Sequence, residues 1–160
     1  LEHAGTIRRI RVTREMVTPY SRTILHRSHG CEVLLATWGE GARCAPHDHG
    51  HARGFVLLLR GRFVERTWAR RGLQLVVTQT RIFRAPARLP VDSGSIHDMQ
   101  ASEGGLSLHV YRPSIRAMRV FDVTRRETLV VSDDCGAWIP YEKGQIVSRE
   151  AWGEASTDLD

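Results

Sequence analysis

At 160 residues the chain is long enough for one domain with one hydrophobic core. Hydrophobic residues make up 41% and charged residues 26%, as in an ordinary globular protein, and no apolar run reaches the roughly 20 residues that span a bilayer. The net charge is +5, but Lys143 is the only lysine, and the arginines are scattered rather than gathered into the patch a nucleic-acid surface needs. Neither a nucleic acid nor a membrane is expected as a partner.

Cys31, Cys44 and Cys135 are odd in number and form no C-x-x-C pair. This argues against a disulfide framework and for a reducing compartment, so a cytoplasmic location is expected.

In chain order, Thr13–Tyr20 could hold a helical turn or two before Pro19, and helix is otherwise scarce. Short segments rich in Val, Leu, Ile, Thr and aromatics follow, bounded by Gly, Pro or charges. They are Glu32–Trp38, Gly54–Arg60, Arg62–Trp68, Leu73–Thr80, Leu106–Tyr111, Met118–Val123 and Thr128–Val131. FVLLLRGRFVERTW reads as a hairpin pivoting on Arg60-Gly61. The tail Ser148–Asp160 is polar and acidic and reads as a frayed terminus. The pattern predicts an all-β barrel or sandwich, with one domain over 1–160 and its core at about 20–132.

His47-Asp48-His49 is the most informative motif. On an extended chain residues i and i+2 share a face, so both histidines would point into a barrel while Asp48 points away. His97, after the turn-like PVDSG, can supply a third imidazole. Such a set suits Zn, Cu, Fe or Ni and leaves positions open for chemistry. The alternative is a pair of polar residues on an exposed strand. His51 follows Gly50, where the chain should turn, and reads as a loop residue. Cys44 lies an odd number of residues from His47, so strand parity argues against it as a ligand and for a structural or surface thiol. Ser107, His109 and Tyr111 alternate along one strand face. They could form a hydroxyl–imidazole–phenol chain, or a polar face turned to solvent.

Five residues separate Gly41 from His47-x-His49, and eleven separate His49 from Gly61. With Gly94-x-x-His97, this frame resembles the two motifs of cupins (double-stranded β-helix, or jelly-roll, barrels). The glutamate usual between the second histidine and the last glycine is absent, its place taken by Gly54. Three neutral ligands would leave a dipositive metal more charge and an extra open position than three histidines plus a carboxylate.

YSR, WGEG, HDH, F-x-x-L-x-x-G, G-S-I-H and S-L-H-V-Y-x-P occur in order from about Tyr20 to Val123. Over this stretch the chain resembles the cysteine dioxygenase family of thiol dioxygenases. The resemblance implies mononuclear Fe(II) held by His47, His49 and His97, and oxidation of L-cysteine by O2 to cysteine sulfinic acid. It implies that Arg22 binds the substrate carboxylate and that Tyr20 lines the same pocket. Ser107, His109 and Tyr111 would form the hydrogen-bonded row beside the iron, with Trp38 behind. Mammalian members cross-link a cysteine to the tyrosine at the position of Gly54, which cannot happen here. The segment between His97 and Ser107 is also shorter than in those members.

Other thiol acids stay open as substrates. Enzymes for 3-mercaptopropionate usually carry glutamine where Arg22 stands, and mercaptosuccinate would need a second cation, for which Arg53 is a candidate. A non-catalytic metal-binding cupin and a zinc-dependent isomerase or hydrolase are the other classes.

Overall fold

A computed structural model describes residues 18–153. Nine strands account for most of them: β1 Tyr20–Arg27, β2 Glu32–Trp38, β3 Arg53–Arg71, β4 Gln74–Arg84, β5 Ala87–Val91, β6 Ile96–Arg112, β7 Arg119–Asp122, β8 Glu127–Val131 and β9 Ile146–Ala151. The only helical element among the described residues is a single 3-10 turn, Lys143–Gln145. Thr13–Val17 of the expected N-terminal turn lie outside the described residues, and Tyr20 opens β1.

All named pairings are antiparallel. One sheet runs β1-β2-β6-β3-β4, with β5 also on β3, and a smaller sheet runs β7-β8-β9. The irregular segment around His47 joins them. His47 bridges His97 on one side and Val120 on the other, and Phe121 N–H donates to the Pro46 carbonyl at 2.9 Å. The first two metal-candidate histidines thus stand where the two sheets meet.

Period-two alternation sets what faces inward. On β2 the buried residues are Glu32, Leu34, Ala36 and Trp38. They pair in register with Tyr111, His109, Ser107 and Gly105 of β6. Val56, Leu58, Phe63, Leu89, Met99, Val120 and Leu129 complete much of the core. Each large apolar side chain buried there contributes about 1.5–3 kcal/mol relative to exposure.

Two expectations are corrected. Arg60-Gly61 is not a hairpin: β3 runs unbroken through it for 19 residues. Register shifts at Leu58/Arg60 and Gly61/Phe63 mark bulges instead. Gly61 has φ +99° and faces Gly104, whose carbonyl oxygen would lie 2.1 Å from any Cβ there. The hairpin comes eleven residues after Gly61, where Gly72 at φ +57° turns β3 into β4. The bulges also change parity. Inward residues are Val56 and Leu58 before them, but Phe63 and Glu65 after them.

The tail is not frayed at Ser148. β9 pairs with β8 from Glu127↔Ala151 to Val131↔Ile146. Trp152 is buried, packs on Leu75 and Phe121, and donates its indole N–H to Thr128 at 2.8 Å. One buried tryptophan anchors a polar strand that composition alone reads as loose. Residues 154–160 lie outside the described residues.

Candidate metal centre

His47, His49 and His97 converge. One ring nitrogen from each lies within 4.8 Å of the others, and all three residues are buried. The H-x-H pair sits on an extended connector rather than a named strand, yet both rings turn inward, with centroids 4.7 Å apart. Asp48 points away from them. It is fully buried, accepts from Gly50 N–H at 3.0 Å and pairs with Arg119 at 2.5 Å, which pins the connector between the sheets.

Hydrogen bonding decides which nitrogens are free. His47 Nδ1 is 2.9 Å from the Ala45 carbonyl oxygen, and His97 Nδ1 is 3.0 Å from Glu65 Oε1. Both partners only accept, so each Nδ1 carries a proton and Nε2 is the nitrogen left for a ligand. Burial, then neighbouring histidines, hold His47 and His49 well below the usual imidazole range, in the neutral form a metal needs. Nδ1 of His49 is buried with no hydrogen-bond partner among the described residues. Leaving such an atom unsatisfied costs free energy that a ligand would recover. Three neutral imidazoles and an orphaned ring nitrogen fit a metal ion.

The lack of a ligand side chain at position 54 has a steric cause. A Cβ on Gly54 would lie 1.8 Å from the Val110 carbonyl oxygen. Strand β6 passes too close for a glutamate or a cysteine there.

The Ser107–His109–Tyr111 row faces inward. Trp38 Nε1, which can only donate, gives its proton to Ser107 Oγ at 2.9 Å. Ser107 Oγ is 2.8 Å from His109 Nε2, and His109 Nδ1 is 3.0 Å from the Tyr111 hydroxyl. Serine donating to Nε2 and Nδ1–H donating to the phenol oxygen is one of the two tautomers this chain allows. In either, the Tyr111 hydroxyl lies at the histidine cluster, 3.2 Å from His49 Nε2. Burial, then the neighbouring His97, pushes His109 down to about 3, so the imidazole is neutral. Burial also pushes the Tyr111 phenol well above its usual value, so it keeps its proton.

Tyr20 and Arg22 line the same cavity as the three histidines, with a volume of about 30 Å³. Tyr20 stacks on Trp38 at 4.3 Å, and its hydroxyl accepts from Ala137 N–H at 2.9 Å. Arg22 is half-buried. Its guanidinium lies over the Trp138 ring and donates to the Asp133 carbonyl oxygen at 3.2 Å. That is a neutral acceptor, which a carboxylate could replace. Arg53 and His51 are exposed and do not line this cavity.

Cys44 takes the structural rather than the surface alternative. It is buried, lines the cavity and accepts from Met99 N–H at 3.1 Å. Its sulfur is 3.9 Å from His47 Nδ1. Strand parity does not govern it, because Arg43–Pro46 is not regular strand. Burial pushes its thiol up to about 12, so it stays protonated.

Sequence reasoning missed Glu65. It is buried on the inner face of β3, with Oε2 paired to Arg81 at 2.6 Å. Burial alone would raise its carboxyl, but the His97 and Arg81 contacts outweigh that and hold it below the usual range. A lone glutamate two residues after Phe63 was the available signal, had the bulge been recognised.

Among solved structures, the chain is similar to an uncharacterised conserved protein with a double-stranded β-helix domain from Klebsiella pneumoniae (TM-score 0.55, 14% identity, covering 64% of this chain and 84% of that one). It is also similar to an RmlC-like cupin from Shewanella frigidimarina (TM-score 0.51, 17% identity, 62% and 81% covered). At such identities the likeness shows the fold, an all-β cupin. In sequence, it is 26% identical over 111 residues to cysteine dioxygenase type 1 of Homo sapiens, covering 64% of this chain and 56% of that one. It is 29% identical over 112 residues to the Danio rerio protein of the same name, with the same coverage. The chain thus spans about half the length, 56%, of these curated relatives. The model of the family Cysteine dioxygenase type I matches residues 15–124. That is well over half of the chain, and the protein belongs to the cysteine dioxygenase type I family.

Proposed function

We propose that the protein is a thiol dioxygenase that uses Fe(II) and O2 to oxidise L-cysteine to cysteine sulfinic acid. The observation that carries this is the convergence of three buried imidazoles, one ring nitrogen from each within 4.8 Å of the others, with the Tyr111 hydroxyl 3.2 Å from His49 Nε2. Membership of the family and the fit of the donor set support a non-haem metal, held by His47, His49 and His97. When bound, Fe(II) supplies open positions for a thiolate and dioxygen and a path for electrons between them. Both oxygen atoms end on sulfur as a sulfinate, so sulfur loses four electrons and O2 gains them.

The side chains orient and restrict. Arg22 takes the substrate carboxylate in a charge-assisted pair and gives up its bond to the Asp133 carbonyl. Tyr20 and Trp38 wall the pocket. Tyr111, oriented through Ser107 and His109, donates a hydrogen bond to the reacting oxygen or the substrate carboxylate. The cavity, walled by Tyr20, Trp38, Met99 and the histidines, favours a small thiol. We further infer that residues 1–160 form one domain and that the protein acts in the cytoplasm.

A dioxygenase for another thiol acid is the second reading. Arginine at position 22 favours cysteine over 3-mercaptopropionate. The exposure of Arg53 removes the cation considered for the second carboxylate of mercaptosuccinate. Oxygen uptake and sulfinate yield with cysteine, 3-mercaptopropionate and mercaptosuccinate, on iron-loaded protein, test the assignment. Cysteine should be the best substrate by kcat/KM. No uptake with any thiol would favour a non-catalytic metal-binding cupin. Activity with zinc alone, and none with iron, would favour the isomerase or hydrolase class.

A further inference from the structure

We propose that Glu65 is a positioning residue for the metal centre: its carboxylate holds His97 in the ligating orientation and supplies from behind that ligand the negative charge that Gly54 denies the first shell. The proposal rests on reading His47, His49 and His97 as the metal-binding set.

The three histidines are not equivalently supported. His47 donates its Nδ1–H to a neutral carbonyl, that of Ala45, at 2.9 Å. His49 has only the neutral Tyr111 hydroxyl, 3.2 Å from its Nε2, and no partner at Nδ1 among the described residues. Only His97 donates to a carboxylate, Glu65 Oε1, at 3.0 Å. A carboxylate behind an imidazole fixes its tautomer and ring plane and raises the basicity of the other nitrogen. Glu65 is 2% exposed, so water does not dilute this effect. Its second oxygen takes two bonds from Arg81, at 2.6 and 3.2 Å, which fixes the carboxylate's own orientation.

The backbone is arranged to make this contact. Without the bulges, the inward parity of Val56 and Leu58 would continue through Val64 and Arg66. With them, Glu65 points inward beside His97. A glutamate serving only as a surface partner for Arg81 would need neither the parity change nor burial. Charge complements geometry. The ligands themselves are neutral, and no side chain fits at position 54, so one carboxylate in hydrogen-bond contact with a ligand partly offsets a dipositive ion.

The test uses Glu65→Gln, which keeps the shape and one carbonyl acceptor but removes the charge. Zinc affinity is measured on metal-free protein by competition with a chromophoric chelator. The Fe(III)/Fe(II) midpoint potential is measured on iron-loaded protein. The variant should bind zinc about 10- to 100-fold more weakly, and its iron should be easier to reduce. Equal affinity and equal potential in a folded variant would overturn the proposal. If Glu65→Gln does not fold, the unaltered zinc-loaded protein still decides. The His97 Nδ1–H proton should resonate downfield of the His47 Nδ1–H proton, because a carboxylate accepts more strongly than a carbonyl. Coincident shifts would overturn the proposal. Failure of the metal reading shows itself separately: there the unaltered protein binds no stoichiometric zinc, or His97→Ala binds it equally well, and both inferences fall.

Discussion

Gly54 and Val110 approach so closely that a Cβ on the glycine would lie 1.8 Å from the valine's carbonyl oxygen. The position is one where many cupins place a metal-binding glutamate, and where mammalian family members place a cross-linking cysteine. Here β3 and β6 pair directly through it, Gly54 opposite Tyr111 and Phe55 opposite Val110. The open coordination of the proposed centre is thus secured by backbone packing. Gly54→Ala should push the two longest strands apart and cost about 3 kcal/mol or more. For a chain of this size that is a fall of roughly 10 °C in Tm, measurable by thermal unfolding of the metal-free protein. An unchanged Tm would mean that β6 can move aside.

His97→Ala should remove bound iron and activity together, because it deletes one of three ligands and leaves Glu65 without its imidazole partner. Metal content by elemental analysis, beside turnover, checks this. A metal-loaded variant with full turnover would break the ligand assignment.

Arg22 holds a neutral carbonyl at 3.2 Å and is proposed to exchange it for a substrate carboxylate. Losing a charge-assisted bond of about 1.5–3 kcal/mol should raise KM for cysteine by about ten- to a hundredfold in Arg22→Ala, with iron still bound. The comparison to make is KM for cysteine against KM for a thiol lacking the carboxylate. An unchanged KM for cysteine would remove Arg22 from substrate binding.

Tyr111→Phe deletes the last proton donor of the Trp38–Ser107–His109–Tyr111 row while keeping the ring that stacks on His49 at 4.8 Å. Turnover should fall by about tenfold, the worth of one hydrogen bond of about 1.4 kcal/mol, or oxygen use should uncouple from sulfinate formation. Identical rate and coupling would leave the phenol without a role.

His109 makes stability depend on pH in a definite direction. Burial, then the neighbouring His97, lowers it to about 3 in the folded state, while the unfolded chain binds the proton near pH 6.5. Between those values the unfolded state holds more protons, so stability is full above about pH 6.5 and falls as pH drops toward 3. This one group contributes up to about 1.4 kcal/mol per pH unit. Urea midpoints at pH 7, 6 and 5 should fall more steeply for the unaltered protein than for His109→Gln. Parallel profiles would show that His109 titrates normally.

Much of the site was legible because its chemistry is carried by residue types at fixed spacing. His47, His49 and His97, and the alternation of Ser107, His109 and Tyr111, need no tertiary information beyond strand parity. What stayed hidden depends on where parity breaks. Arg60-Gly61 looks like a turn because arginine and glycine together satisfy a hairpin's local demands. Only the partner strand, with Gly104 opposite, reveals a bulge. Without that bulge in view, nothing singled out Glu65 as an inward residue. Cys44 was placed by strand parity on a segment that is not a strand. The β9 strand escaped because Ile146 is its one half-buried residue and its buried anchor, Trp152, lies just beyond it, in a segment otherwise polar and charged.

The central claim is the reaction itself, and one measurement bears on it most directly. Iron-loaded protein is supplied with L-cysteine in an oxygen electrode, and the sulfinate formed is quantified against the oxygen consumed. The expected result is one cysteine sulfinic acid per O2, with kcat/KM for cysteine above that for 3-mercaptopropionate and mercaptosuccinate. Oxygen uptake without sulfinate, or none with a full complement of iron, would contradict it.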